Sequence, residues 1–294
     1  MRKELLALIL LLCSFISCTK NQNLDDLLSE FEKEKKAMGT VSIFKDGKEF
    51  YTKSIGFANM ELNKKNNSET KFRIGSVSKT FTATIILQLI DEGKLLLENS
   101  LHEYFPEVPN SENITISDLL YHRSGIYNIT SNSDFEVWIS EPRNRSDMLG
   151  KIKENKSVFE PNTKTAYSNS NYILLAYIAE DIDQQNFGEI IKNRIVKKLN
   201  LTRTTFGKDI DFSKNEAMCY YPENNKWHPI TFHTNLTGPM GAGGITSTAK
   251  EVSIFYNALF TGKLLSEKSL KLMVTPKGEM GMGISINKYN GLNI

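Results

Sequence analysis

Thr70-Lys71-Phe72-Arg73-Ile74-Gly75-Ser76-Val77-Ser78-Lys79-Thr80-Phe81-Thr82-Ala83 is the stretch from which the rest of the chain can be read. Phe72-Arg73-Ile74 is a short extended entry into a long helix running from Ser76 to about Glu92. The helix body (Phe81, Ala83, Ile85, Ile86, Leu87, Leu89, Ile90) is apolar on most sides and therefore belongs in a core. Gly93 follows where a helix prefers to stop. Ser76 and Lys79, three residues apart, share a face of this helix, so the amine can reach the hydroxyl. A neutral amine so placed can take the serine proton. The S-x-x-K pattern itself carries little weight, because it begins at Ser17, Ser42, Ser68, Ser76, Ser247 and Ser285. Only Ser76 opens a long apolar helix directly after an extended segment, which aims first-turn N–H groups at an anion beside the serine. Helix capping explains a serine there, but a cation in the first turn opposes the helix dipole. The same field, together with burial, lowers a lysine pKa toward that of a usable base.

Working outward, Tyr167-Ser168-Asn169 is the single Y-x-N among eleven tyrosines and precedes a helical patch over 172–183. A phenol near Ser76 and Lys79 could relay a proton to a leaving group, and the Asn169 amide could bond a substrate carbonyl. On the N-terminal side, Leu24, Leu27, Leu28 and Phe31 predict an amphipathic helix over 23–36. Apolar runs around Asp46-Gly47 predict a hairpin of two strands, 41–44 and 49–57. Helical patches at 117–122 and 247–260 and a strand at 282–286 complete the pattern. Strands at both ends with helices between them predict an α+β fold: an antiparallel sheet built from both chain ends, flanked by helices, with an all-helical part inserted.

Composition narrows the function. With 294 residues the chain has room for about two domains. Hydrophobic residues at 40% and charged residues at 24% exclude the disordered and fibrous classes. Lys+Arg at 36 against Asp+Glu at 34 leaves no strongly basic face for nucleic acid. The four histidines (His102, His122, His228, His233) form no HExxH or HxH pair, so no metal is expected, and no cofactor. Gly238-Pro239-Met240-Gly241-Ala242-Gly243-Gly244 lacks the spacing of a phosphate loop and reads as a turn. There is no G-x-S-x-G. Trp138 and Trp227-His228 read as packing rather than as pocket walls.

Arg2 and Lys3 precede an apolar run at 5–12, followed by Cys13-Ser14-Phe15-Ile16-Ser17-Cys18. This reads as an export signal over 1–17, too short to span a bilayer. A small residue precedes Cys18, and 15–18 resembles a bacterial lipobox with Phe15 where Leu is usual. Cys18 is therefore the expected lipidation site, placing the protein on the cell-envelope membrane, facing the periplasm. The stretch 18–39 is then a tether and first helix, and Cys219 the only remaining thiol, so no intramolecular disulfide is expected.

Four segments in order resemble the serine β-lactamase and DD-peptidase superfamily, in the branch of class C β-lactamases, related esterases and penicillin-binding-protein-like lipoproteins. Thr70–Ala83 resembles the first motif, and Leu119-Leu120-Tyr121-His122-Arg123-Ser124-Gly125-Ile126 the branch's LLxHxSGL segment. Tyr167-Ser168-Asn169 resembles the second motif, and Gly243-Gly244-Ile245-Thr246-Ser247-Thr248-Ala249-Lys250-Glu251-Val252 a later GGLxSTxxDL stretch. Gly281-Met282-Gly283 is similar to a YGLGW-type strand. The resemblance implies a β-lactamase/transpeptidase-like fold over 40–294, with its sheet part at about 23–75 and 240–294 and its helical part at about 76–239. It implies Ser76 as acylated nucleophile, Lys79 as base, Tyr167 as proton relay and Asn169 as substrate-binding amide. The family's third motif, Lys-Thr-Gly or His-Thr-Gly, is not met before Ile294, and His233-Thr234-Asn235 comes too early. A C-terminally truncated chain is the expectation, impaired in activity if it ends there. Two functions are therefore open: a serine hydrolase of a β-lactam, D-amino-acid peptide or small ester, or a non-catalytic cell-wall-binding lipoprotein of the same fold.

Overall fold

The structure is a computed structural model and describes residues 23–230, 234–289 and 292–293. Cys18, the signal segment and His233 lie outside the described residues. The chain divides into two compact units, one of residues 1–70 and 211–230, the other of residues 71–210 and 231–294.

In the first unit, helix α1 occupies 23–33, ending where Lys35 takes a left-handed φ of 55°. Strands β1 (Gly39–Lys45) and β2 (Lys48–Ile55) pair antiparallel across Asp46-Gly47, both residues at positive φ, as a tight two-residue hairpin turn requires. Tyr51 Oη donates to Asp25 at 2.6 Å and Lys53 pairs with the same carboxylate at 3.1 Å, tying the hairpin to α1. Strands β3 (Phe57–Asn59) and β4 (Lys64–Lys65) form a second antiparallel pair.

The second unit holds the core. Strand β5 (Phe72–Arg73) leads through a 3₁₀ turn, Gly75–Val77, into helix α2 (Ser78–Asp91). Twelve consecutive residues of α2, Ser78 to Leu89, are buried. At its end Gly93 takes φ +69°, and the Lys94 and Gly93 N–H groups close back on Leu89 and Ile90, a glycine C-cap. Helices α3 (Ile116–Leu120), α4 (Phe135–Trp138) and α5 (Arg145–Lys153) follow. Thr115 and Asp118 cap α3 reciprocally, each accepting the other's backbone N–H. Helix α6 (Asn169–Asp183) runs buried from Ser170 to Ala179 and packs on α2. Each fully buried Ile or Leu in these two helices contributes roughly 1.5–3 kcal/mol of transfer free energy.

Helix α7 (Phe187–Ile191) and a short helix α8 (Lys197–Leu199) flank a π-helical turn, Lys192–Val196. Strand β6 (Thr205–Phe206) follows. In the first unit, β7 (Tyr220–Glu223) pairs with β8 (Lys226–Pro229). Back in the second unit, β9 (Ile245–Ser247) sits between β5 and β6, antiparallel to both, with Phe72 opposite Ser247. This three-stranded sheet brings residues from both parts of the sequence together. Helix α9 (Ala249–Phe260) is capped by Thr248 and stacks Phe255 on Phe81 of α2, ring centroids 3.6 Å apart. Helix α10 (Glu267–Val274) comes last, followed by β10 (Lys288–Tyr289) and β11 (Leu292–Asn293).

The strand expected at 282–286 does not form. Gly283 takes φ +74°, and Gly281 N–H bonds Ile284 O at 2.9 Å, so the apolar alternation folds into a turn against α2. A Cβ on Gly283 would lie 2.7 Å from Lys79 O, which only a glycine avoids.

Candidate active site

Ser76 sits in the 3₁₀ turn at the head of α2, exposed, one turn before the buried Lys79. Two anchors fix this turn to β9: Ile74 N–H donates to Ile245 O at 3.0 Å, and Ile245 N–H donates to Ser78 Oγ at 3.2 Å. Lys79 Nζ lies 3.2 Å from Ser76 Oγ, 2.7 Å from Asn169 Oδ1 and 2.7 Å from Ala242 O. Tyr167 Oη lies 2.6 Å from Ser76 Oγ. The structure thus gathers Ser76, Lys79, Tyr167 and Asn169 into one hydrogen-bonded cluster, with no carboxylate bonded to the lysine among the described residues. Burial alone pulls the Lys79 ammonium down to about 7. Burial pushes the Tyr167 phenol upward, partly offset by its hydrogen bond to Ser76, so it stays protonated and able to donate.

With the amine neutral, the donors and acceptors fit one pattern. Asn169 Oδ1 and Ala242 O only accept, so the short contacts use two N–H groups of Lys79. A neutral amine then keeps one lone pair, directed at the longer contact, to take the Ser76 proton. Tyr167 O–H in turn donates to Ser76 Oγ.

Three supports of this cluster were given no role by the sequence reading. Ala242 belongs to the glycine-rich turn at 238–244, whose backbone lies directly on the two core helices: a Cβ on Gly241 would be 2.7 Å from Thr82 Oγ1 and from Tyr172 O. Repeated glycine is the signal that could have shown this close approach. Asn128 Oδ1 accepts both the Asn169 backbone N–H (3.0 Å) and its Nδ2 (3.2 Å), and Thr130 Oγ1 lies 3.1 Å from the same Nδ2. His122 packs its ring on Tyr167. Nothing in the sequence marks Asn128.

A cavity of about 690 Å³ opens beside Ser76 and Lys79, walled by His122, Tyr167, Tyr256, Phe260, Met280 and Ile284, with further aliphatic residues. Neither tryptophan lines it. A larger cavity, about 920 Å³, lies elsewhere in the same unit, around Arg143, Tyr177 and Phe206, and contains none of the four clustered residues. Among the described residues, no group of three His, Cys, Asp or Glu could hold a metal ion, and no helix is long and apolar enough to cross a membrane.

Comparison with known proteins bears on family and fold. The Beta-lactamase family model matches residues 24–284. The Bacillus subtilis (strain 168) protein named "Putative penicillin-binding protein PbpX" is 32% identical over 262 residues, which are 88% of this chain and 64% of that protein. This chain therefore spans less than two thirds of that relative's length. Among solved structures, a D-stereospecific amidohydrolase from Streptomyces sp. superposes with a TM-score of 0.75 at 26% identity, over 87% of this chain and 80% of its own. A penicillin binding protein from Bacillus halodurans superposes at 0.78 with 24% identity, over 91% and 84%. The fold is β-lactamase/transpeptidase-like: mixed helices and small antiparallel sheets.

Proposed function

The chain belongs to the β-lactamase family, and from that premise we propose that it is a serine hydrolase acting through an acyl-enzyme on Ser76. The observation that carries this reading is the Lys79–Ser76–Tyr167 cluster, in which a buried lysine faces a serine hydroxyl with no carboxylate among the described residues to keep it charged. Ser76 Oγ passes its proton to the Lys79 amine as it bonds the acyl carbon. The bond to the leaving nitrogen or oxygen breaks, and that atom takes a proton from Tyr167, which is replenished from Lys79. Water then cleaves the ester, releasing the acid and restoring Ser76.

Asn169 holds Lys79 through Oδ1. In the proposed complex its Nδ2 leaves Thr130 to bond the substrate carbonyl. The names of relatives, a D-stereospecific amidohydrolase and a putative penicillin-binding protein, support a β-lactam or D-amino-acid peptide as substrate, and a small ester is proposed beside them on the resemblance alone. Membership of the class C-related branch and a lipid anchor at Cys18 belong to the same proposal.

Intact mass after incubation with a chromogenic cephalosporin, a D-amino-acid anilide or a short p-nitrophenyl ester tests the chemistry. Wild type should gain the acyl mass and Ser76→Ala should not. An adduct that persists in Ser76→Ala would move the reaction elsewhere, and no adduct with any probe would favour the binding-lipoprotein reading. For the anchor, wild type should sediment with membranes through detergent-free washing and Cys18→Ser should be released. Equal retention of both would refute lipidation at Cys18.

A further inference from the structure

His122 takes no part in the proton path above, although its ring forms part of the cavity wall. It follows α3 at a left-handed φ of 56°, and it is 1% exposed. From there it holds the chain on both sides of Tyr167. Its carbonyl accepts the Ala166 N–H at 2.9 Å, and its Nδ1 accepts the Ser168 N–H at 3.1 Å. Its ring also packs on the Tyr167 ring, centroids 4.7 Å apart, and on that of Tyr172 at 5.1 Å.

Asn171 settles where the imidazole proton lies. Ser124 Oγ donates to Asn171 Oδ1 at 2.7 Å, which turns the Asn171 Nδ2 toward His122 Nδ1 at 3.4 Å. Two N–H groups aimed at one ring nitrogen require that nitrogen to accept, so the ring is neutral with its hydrogen on Nε2.

We infer that His122 is a positioning residue: a neutral imidazole that, by accepting the Ser168 N–H, holds the Tyr167 hydroxyl within reach of Ser76. The inference rests on the reading of Tyr167 as proton relay. Burial first, and the Lys79 charge second, hold the imidazole down at about 3, so Nδ1 remains an acceptor at neutral pH. The ionisable groups facing it are Lys79 of α2 and the phenols of Tyr167 and Tyr172, both pushed upward by burial.

The test is a double-mutant cycle read as the acylation rate with a short p-nitrophenyl ester. His122→Phe keeps a ring and removes the acceptor. His122→Asn keeps an acceptor near the place of Nδ1, and asparagine tolerates the left-handed backbone. His122→Phe should slow acylation about 10²-fold, the cost of a misplaced group, and His122→Asn should recover most of that loss. KM should change by less than about threefold, since substrate binding is not what is lost. In a Tyr167→Phe background His122→Phe should cost nothing further, because its effect passes through the missing hydroxyl. The same loss in both backgrounds would overturn the assignment.

A second measurement needs no variant. The nitrogen NMR shifts of His122 in the wild type should show the Nε2–H tautomer, unchanged from about pH 5.5 to 8.5. An Nδ1–H tautomer, or titration within that range, would also overturn it. Wild-type protein that never acylates at Ser76 would instead defeat the serine reading, which the unchanged nitrogen spectrum would tell apart.

Discussion

Lys79 is where sequence, burial and chemistry meet in one side chain. It is 3% exposed, and its hydrogen-bond partners among the described residues are three neutral oxygens, so its proton is weakly held. The base is the uncharged amine, whose fraction rises with pH through about 7. The acylation rate of the wild type should therefore climb from about pH 6 and level off above about pH 8. Lys79→Ala should lower acylation by about 10²–10⁴-fold and abolish that acid limb. Stopped-flow acylation across pH checks both, and an acid limb retained in Lys79→Ala would assign it to another group. The cluster was legible at this scale because a serine, a lysine and a Y-x-N tyrosine carry their chemistry in their side chains. Ala242 acts through a carbonyl, and Asn128 through a contact 41 residues away along the chain. Asn128 leaves no mark in local sequence, and Ala242 only the repeated glycines around it.

Helices α2 and α6 and the Asp46-Gly47 hairpin could be read because each is a local pattern: an apolar run, a period, a turn dipeptide. Residues 282–286 misled for the same reason. Met282, Ile284 and Ile286 alternate as a strand would, but Gly283 has been drawn onto the backbone of Lys79 and turns the chain. Tertiary contact overrode the local period. The glycine-rich turn at 238–244 is a sharper case of close approach. Thr82 Oγ1 donates to Gly241 O at 2.7 Å, and the neighbouring Ala242 O accepts from Lys79. Gly241→Ala should press a methyl group into Thr82 and the Tyr172 carbonyl, destabilising the protein by about 1–3 kcal/mol, as overpacked cores do. It should also slow acylation by shifting Ala242 away from Lys79. A urea midpoint equal to that of wild type would show that the turn has slack the contacts deny.

The depressed pKa of Lys79 is also a statement about the whole molecule. An unfolded chain keeps this proton up to the ordinary 10.5, whereas the folded protein releases it near 7. Between those values the unfolded state binds more protons, so folding stability rises with pH. Below about 7 both states are protonated and the cost of burying the charge is borne in full. Wild-type stability minus that of Lys79→Met should therefore grow by up to about 1.4 kcal/mol per pH unit above neutrality. Urea unfolding of both proteins at several pH values between about 7.5 and 9.5 measures it, and parallel curves would mean that the amine is not held in the state described. Ser76 stands in the 3₁₀ turn that leads into α2 and Asn169 opens α6, the two helices buried along most of their lengths. Ser76, Lys79 and Asn169 are thus carried directly by the interior, so on heating there is little room for a folded but silent form. Loss of turnover and loss of helical ellipticity should decay with a single shared half-life at every temperature. The unit that carries the site would age as one object, its catalytic lifetime set by the rate at which its interior first opens.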